Sequence, residues 1–248
     1  LCDEMEGIAM ILVDNSKQCS AILRFIAQPA LESCPEPVRQ VFDASRFSEF
    51  HTFLDGVMNV WVGLGDEETL TLTHVKSAAA IGAKMMRQLK QHEYQIEASG
   101  IIDLYGIDSV YDLCTGIELG LYQYEGCYSN AKEKYSYTAF LQGFEDQHQP
   151  EIQELVNKSV VVAQNVMMAR DWVNMPGNLL NPVALAKHVV EAGKEAGCEV
   201  KVVDVEQAKK LGMNLFLSVG LSSDYPCSIA VLRYMGDPDD GEVTALIG

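Results

Sequence analysis

The sequence lacks any apolar run of about 18 residues or more, the length that a helix needs to cross a bilayer. It also lacks a basic segment followed by an apolar one, the pattern of a signal peptide. We therefore expect a cytoplasmic protein without a membrane partner. The chain begins at Leu1, so we expect its natural N-terminus to lie upstream or to have been processed. Its 248 residues, 48% of them hydrophobic, are enough for one large or two medium domains.

Basic residues are scarce. The chain has 18 Lys and Arg residues against 35 Asp and Glu residues, a formal net charge of −17. Such a surface repels nucleic-acid backbones and anionic lipids. The modest basic clusters, Lys132-Glu133-Lys134 and Lys209-Lys210, are more typical of solvated faces than of phosphate-binding sites. We therefore do not expect nucleic acid to be a partner.

Cysteines at disulfide or metal-ligand spacing are also missing. The seven cysteines are scattered, odd in number and without a CxxC pair: Cys2, Cys19, Cys34, Cys114, Cys127, Cys198 and Cys227. This pattern favours reduced thiols in a cytosolic protein over a disulfide framework or a zinc site.

Known catalytic and metal-binding motifs are absent as well. No segment matches HExxH, GxSxG, the GxxxxGK[ST] phosphate loop or an EF-hand loop. No histidine lies three or four residues from another, so a zinc site would need ligands from distant elements. The five histidines are His51, His74, His92, His148 and His188. Three carboxylates lie close together in the sequence, at Asp237, Asp239 and Asp240. This pattern is more typical of a solvated turn than of a cation site.

A partial glycine motif, Gly63-Leu64-Gly65, follows a predicted strand and precedes a helix. Dinucleotide-binding turns need a third glycine, but Glu68 stands at that position. Asp66 and Glu67 would also repel a pyrophosphate at the helix N-terminus. We therefore predict an ordinary strand-to-helix turn. From the residues alone, no catalytic, metal-binding or cofactor-binding residue is assigned.

Hydrophobic periodicity predicts alternating strands and helices in the first two thirds of the chain. The predicted strands cover 7–14, 21–26 (expected beside the first), 57–64, 94–96 and 137–141. A helix over 69–89 has one apolar face, made of Val75, Ala79, Gly82, Met86 and Leu89. Another, capped by Asp108 or Ser109, carries Val110, Leu113, Ile117 and Leu121. A long helix from Pro150 is expected to turn inward Ile152, Leu155, Val162, Val166 and Ala169. Residues 27–55 receive no assignment. The alternation predicts an α/β domain with a largely parallel or mixed sheet.

The pattern restarts after residue 182. One helical face, ended by Gly197, consists of Leu185, Val189, Ala192 and Ala196. A short helix is predicted over 205–211, stopped by Gly212. Further strands are predicted over 200–203, 215–220, 228–234 and 243–247, with a turn over 236–241. Because the last strand has nothing after it, we expect a domain that continues past Gly248.

The segment 169–182 separates these two parts. Asn174-Met175-Pro176-Gly177 breaks a helix, because the residue before proline avoids the helical region and glycine accepts positive φ. Asn181 can cap a new helix whose first turn holds Pro182. By itself, this pattern is typical of an interdomain linker.

The same segment resembles the interdomain segment of the M17 leucyl aminopeptidase (cytosol aminopeptidase) family. The matching positions are Arg170, Asn174, Pro176, Asn178 and Pro182. Downstream, the resemblance continues through Gly212-Met213, Phe216 to Gly220, Ser223, Pro226, Ile229 to Tyr234 and Gly236. Upstream, Val60 to Gly65 and Gly116 to Gly120 with Tyr122 are similar to N-terminal-domain segments. Cys127-Tyr128-Ser129 departs from the family, which has a lysine there.

The resemblance implies an N-terminal α/β domain similar to macro domains over 1–148, a linking helix and interdomain segment over 149–182, and the incomplete start of an α/β catalytic domain over 183–248. It further implies a hexamer that removes N-terminal residues from peptides with two divalent metal ions, Zn or Mn. The family's metal-site lysine and later acidic segments have no counterpart here. We therefore expect no catalytic residue and no bound metal in this chain, and no activity alone. The alternative is a non-enzymatic module for assembly, regulation or binding of an ADP-ribose-type ligand.

Overall fold

The computed structural model describes residues 9–124, 126, 136–220, 222–236 and 243–247. The chain divides into two compact units, the first ending at Asp171 and the second beginning at Trp172. No helix in the described ranges is both long and apolar enough to cross a membrane.

A six-stranded sheet forms the centre of the first unit. Its strands are β1 (Ala9–Val13), β2 (Ala21–Ala27), β3 (Glu49–Leu54), β4 (Val57–Gly65), β5 (Glu93–Glu97) and β6 (Tyr137–Gln142). Their order is β1-β6-β5-β2-β4-β3, and all neighbours are parallel except β3 and β4. This confirms the predicted α/β class and the strands predicted within the first unit.

The expected adjacency of the first two strands is wrong. β1 pairs with β6, and β2 lies between β5 and β4. The short connection between β1 and β2 crosses one face of the sheet instead of turning back. Gln95 and Gln142 hold it there, since each donates a side-chain hydrogen bond to the carbonyl oxygen of Lys17, at 2.9 and 2.6 Å. The turn residues in the sequence do not reveal this crossing, because the crossing depends on the side-chain amides of Gln95 and Gln142, far along the chain.

Two helices, Leu72–Gln88 and Ser109–Leu121, pack on the opposite face of this sheet. The helices of the chain are α1 (Glu36–Arg39), α2 (Leu72–Gln88), α3 (Ser99–Tyr105), α4 (Ser109–Leu121), α5 (Gln149–Asn174), α6 (Pro182–Glu195), α7 (Val205–Lys210) and α8 (Asn214–Gly220). On β2, the side chains alternate between buried and half-buried, and the buried ones belong to the main core with α2 and α4. The predicted apolar faces of α2 and α4 are confirmed.

The predicted inward face of α5 is wrong after its first residues. The buried positions are Ile152, Val156, Ser159, Ala163 and Met167. Val162 is 36% exposed, Val166 is half-buried and Ala169 is exposed. Because α5 carries valines on several sides, hydrophobicity alone did not identify the face that packs.

In the second unit, β7 (Glu199–Val203) pairs antiparallel with β8 (Ile229–Arg233). The predicted strand over 215–220 is wrong, because those residues lie in α8, where Leu217 is buried with Ala208 and Val203. The predicted strand over 243–247 is also wrong: these residues have no regular structure, and no described strand pairs with them. Most of the predicted turn over 236–241 lies outside the described residues.

Candidate functional site

A cavity of about 670 Å³ lies at the carboxyl ends of β2, β4 and β5. Parallel strands end at the same edge of a sheet, and open α/β sheets place ligands there. The cavity wall consists of Arg24, Phe25, Ile26, Ala27, Ala30, Ser33, Cys34, Pro35, Leu54, Asn59, Trp61, Leu64, Glu67, Glu97, Ser99, Gly100, Asp103 and Leu104. Its size is within the range of small-molecule sites.

Arg24 provides the positive charge in this wall. It is half-buried within an otherwise apolar strand, and its Nε donates a hydrogen bond to Asn59 Oδ1 at 3.0 Å. Its guanidinium carbon lies 5.4 Å from the centre of the Trp61 ring, a cation–π arrangement. Asn59 is fixed in turn by donating to the carbonyl oxygen of Val57 at 3.0 Å. The Arg24 side chain is therefore held in place, and its two terminal nitrogens have no hydrogen-bond partner among the described residues.

Three carboxylates accompany that single guanidinium. Glu97 is the register partner of Arg24 across β5 and β2, so both side chains leave the same face of the sheet. One Glu97 oxygen accepts a hydrogen bond from the backbone N–H of Ser99 at 3.3 Å. Asp103 and Glu67 are exposed and belong to the same wall. The wall has one positive and three negative side chains, so it favours a ligand that carries an ammonium group over a phosphate.

The remaining wall is mostly apolar. Residues 28–44 belong to the stretch without a predicted element, and they include a 3₁₀ turn over Gln28–Ser33 and helix α1. Together with Trp61 they build a small second core, made of Cys34, Val38, Phe42, Ala44 and Trp61. Burial raises the pKa of the Cys34 thiol, although Arg24 and Arg39 oppose the shift. Cys34 is therefore a neutral, apolar part of the wall at neutral pH.

The polar residues singled out in the sequence do not converge in the structure. Among the described residues, no three His, Cys, Asp or Glu side chains are grouped so that they could hold a metal ion. His188 stacks on Trp172, with ring centres 5.9 Å apart, and His74 Nδ1 lies 3.1 Å from Thr71 Oγ1. The cluster at 237–240, the basic cluster at 132–134 and Cys127-Tyr128-Ser129 lie outside the described residues.

The partial glycine motif is the turn that we predicted. β4 continues through Gly65, which has a φ of +78°, and a 3₁₀ turn follows over Glu67–Thr69. Asp66 Oδ1 accepts a hydrogen bond from the backbone N–H of Glu68 at 3.0 Å, so the acidic side chain satisfies the turn's own backbone. No dinucleotide is needed to explain these residues.

The segment 169–182 combines the end of α5 with the start of α6. Within the first unit, Arg170 Nη1 donates to the carbonyl oxygen of Leu119 at 3.3 Å, and Tyr122 donates to Asp171 Oδ1 at 2.7 Å. In the second unit, Asn181 Oδ1 accepts from the N–H groups of Val183 and Ala184, at 3.1 Å each. The predicted cap and the first-turn proline of α6 are confirmed.

Sequence reasoning missed the cavity and its residues. The only local signal is one arginine inside the apolar strand AILRFIA. That Arg24 lies between Trp61 and Glu97 follows from strand register, which single strands do not reveal. The 3₁₀ turn and the two residues after it, which line the cavity, lie in the proline-punctuated stretch that shows no periodicity.

Comparison with known proteins adds a family likeness. A sequence model of the catalytic domain of the cytosol aminopeptidase family, M17, matches residues 167–248. The chain is 28% identical over 193 residues to a probable cytosol aminopeptidase of Alkaliphilus metalliredigens, covering 76% of this chain and 39% of that protein. It is 27% identical over 213 residues to one of Clostridium perfringens, covering 84% and 42%. The chain thus spans about two fifths of the length of these relatives.

Solved structures show the same fold. A tomato leucine aminopeptidase mutant superposes with a TM-score of 0.77 at 18% identity, covering 91% of this chain and half of that one (50%). The bottromycin maturation enzyme BotP in complex with Mn gives a TM-score of 0.73 at 21% identity, covering 90% and 46%.

Proposed function

On the premise that this chain belongs to the cytosol aminopeptidase family, we propose that it is the N-terminal portion of a two-metal aminopeptidase that removes N-terminal residues from peptides. The observation that carries the proposal is the ordered likeness to cytosol aminopeptidases over 76–84% of the chain. The catalytic-domain match over residues 167–248, mostly in the second unit, supports it.

In a two-metal peptidase, divalent ions bind the free amine, polarise the scissile carbonyl and activate a water molecule. Among the described residues, no set of donors fits such ions, so we derive no catalytic step for this chain. We propose that its part in the enzyme is structural: the chain supplies the first unit and, within the second unit, the β7–β8 pair. We propose Zn or Mn as the metals of the complete enzyme, and the Mn complex of BotP supports the second.

The experiment that tests the proposal compares two purified proteins in a chromogenic leucine p-nitroanilide assay with Mn or Zn. One is the 248-residue chain, and the other is a longer chain that continues in the reading frame after Gly248. We expect metal-dependent hydrolysis by the longer chain only, and loss of that activity on chelation. Clear hydrolysis by the 248-residue chain, or none by a folded longer chain, would contradict the proposal.

We further propose that the enzyme is a hexamer and is cytoplasmic. The relatives' name, cytosol aminopeptidase, supports the proposed compartment. Light scattering after size exclusion tests the assembly, and it should give six copies for the longer chain. A monodisperse monomer of active enzyme would refute the hexamer while leaving the peptidase proposal intact.

A further inference from the structure

The cavity at the carboxyl ends of β2, β4 and β5 combines three kinds of chemistry in one place. A guanidinium with accessible terminal nitrogens lies on β2, a carboxylate lies beside it on β5, and an apolar wall faces both. We propose that this cavity binds a free α-amino acid with an apolar side chain. The inference concerns binding alone and does not depend on peptide hydrolysis by this chain.

The carboxylate of the ligand is assigned to Arg24. Its Nε donates a hydrogen bond to Asn59, and its flat face lies over the Trp61 ring. The two terminal nitrogens therefore remain as a preorganised pair of donors. A guanidinium fork fits a carboxylate with two parallel hydrogen bonds. Because Asn59 and Trp61 fix the side chain in the free protein, little conformational entropy is lost on binding.

The ammonium of the ligand is assigned to Glu97. Arg24 and Glu97 occupy paired positions on neighbouring strands, but their side chains do not pair with each other. The Arg24 guanidinium lies over Trp61 of β4, on the side away from β5, and Glu97 accepts the backbone N–H of Ser99. An α-amino acid bears both charged groups on one carbon, so it is the smallest ligand that can bridge the two unpaired side chains. Asp103 and Glu67 add negative charge to the wall, which attracts an ammonium and opposes phosphate.

The side chain of the ligand is assigned to the apolar wall, which includes Ile26, Leu54 and Leu104. This wall explains why the ligand should be apolar rather than glycine, since burying a leucine-sized group contributes favourably to binding. A nucleotide would instead need several donors for its phosphates, whereas the wall offers one guanidinium against three carboxylates.

The test is isothermal titration calorimetry on the 248-residue chain with L-leucine at millimolar concentration. Leucinamide lacks the carboxylate, 4-methylpentanoate lacks the amine, and glycine lacks the side chain; we expect each to bind at least about tenfold more weakly. Leucyl-leucine and ADP-ribose serve as further probes. The proposal is overturned if leucine gives no heat, if leucinamide binds as well as leucine, or if leucyl-leucine or ADP-ribose binds more tightly.

Variants locate the binding. Arg24→Gln and Glu97→Gln should each weaken leucine binding at least about tenfold. Leu104→Trp should block the cavity without touching either charge, which keeps the test informative if Arg24→Gln fails to fold. Arg39→Gln is the matched control, because Arg39 belongs to the same unit but pairs with Glu32 at 3.4 Å outside the cavity wall. Leucine binding that persists unchanged in folded Leu104→Trp and Glu97→Gln would refute this site.

Discussion

Helices α2 and α4 pack so closely that a side chain at Gly116 has no room. A Cβ built there would lie 2.7 Å from the Cβ of Ala79 and would overlap the backbone carbonyl oxygen of Lys76. Because that oxygen is part of a helix, it cannot rotate away as a side chain would. We therefore predict that Gly116→Ala destabilises the first unit by forcing the two helices apart.

The magnitude follows from two opposing terms. Alanine is favoured over glycine within a helix by about 1 kcal/mol. Overpacking of a close-packed core costs about 1–3 kcal/mol, and a backbone neighbour places Gly116 at the upper end. The net loss is about 2 kcal/mol, which should lower the melting temperature by about 4–8 °C for a unit of this size.

Two other glycine-to-alanine changes serve as controls, because helix propensity changes in the same direction in each. At Gly82, the new Cβ would lie 2.5 Å from Leu23 Cδ1, the end of a side chain that can shift, so we expect a loss of at most about 1 kcal/mol. At Gly100, the nearest atom is the Phe25 carbonyl oxygen at 3.8 Å, an ordinary contact, so stability should be unchanged or slightly higher.

Urea and thermal unfolding followed by Trp61 fluorescence, in a Trp172→Phe background, would report on the first unit alone. We predict the order Gly100→Ala, Gly82→Ala, Gly116→Ala from most to least stable. This prediction is refuted if the melting temperature of Gly116→Ala equals that of the unsubstituted chain. It is also refuted if Gly100→Ala lowers the melting temperature as much as Gly116→Ala does.

Two further predictions concern a helix cap and a buried thiol. Asn181→Ala removes the acceptor for two backbone N–H groups of α6 and should lower the free energy of unfolding of the second unit by about 1 kcal/mol. Urea unfolding followed by Trp172 fluorescence measures this loss, and Asn181→Asp should retain most of the stability. Burial raises the pKa of the Cys114 thiol well above its usual range, so its thiolate is scarce in the native state. Alkylation resolved by mass spectrometry should modify the half-buried thiols of Cys19, Cys198 and Cys227 first, and Cys114 only on unfolding. Since the unfolded thiol releases its proton above about pH 8.5 and the native one does not, this contribution to stability should decrease as pH rises beyond that value.

The sequence predicted most elements whose periodicity is unambiguous. β4 is a long run of apolar and β-branched residues, and the apolar stripe of α2 repeats at helical spacing, so the local pattern predicts both elements. The apolar run of α8 is too short for that distinction. Its apolar pattern predicts a strand, yet these residues form a helix in which Leu217 is buried in one cluster with Ala208 of α7.

The candidate site could not be predicted in the same way. Arg24 becomes notable only when register places it between Trp61 and Glu97, which lie on strands 37 and 73 residues further along the chain. The strand order itself depends on a crossing that Gln95 and Gln142 hold in place. Non-local contacts of this kind have no local sequence signal.

Three of the residues that carry the family resemblance, Gly116, Gly120 and Arg170, have a common physical explanation. Gly116 and Gly120, four residues apart on α4, allow its backbone to approach α2 at Lys76 and Ala80. Arg170 donates to the carbonyl oxygen of Leu119 near the end of α4 and also lies over the Tyr122 ring. These side chains make contacts within the fold, and none of the three lines the cavity. Substituting them should therefore change the free energy of unfolding and leave ligand affinity unchanged in variants that remain folded, whereas the reverse is expected at Glu97.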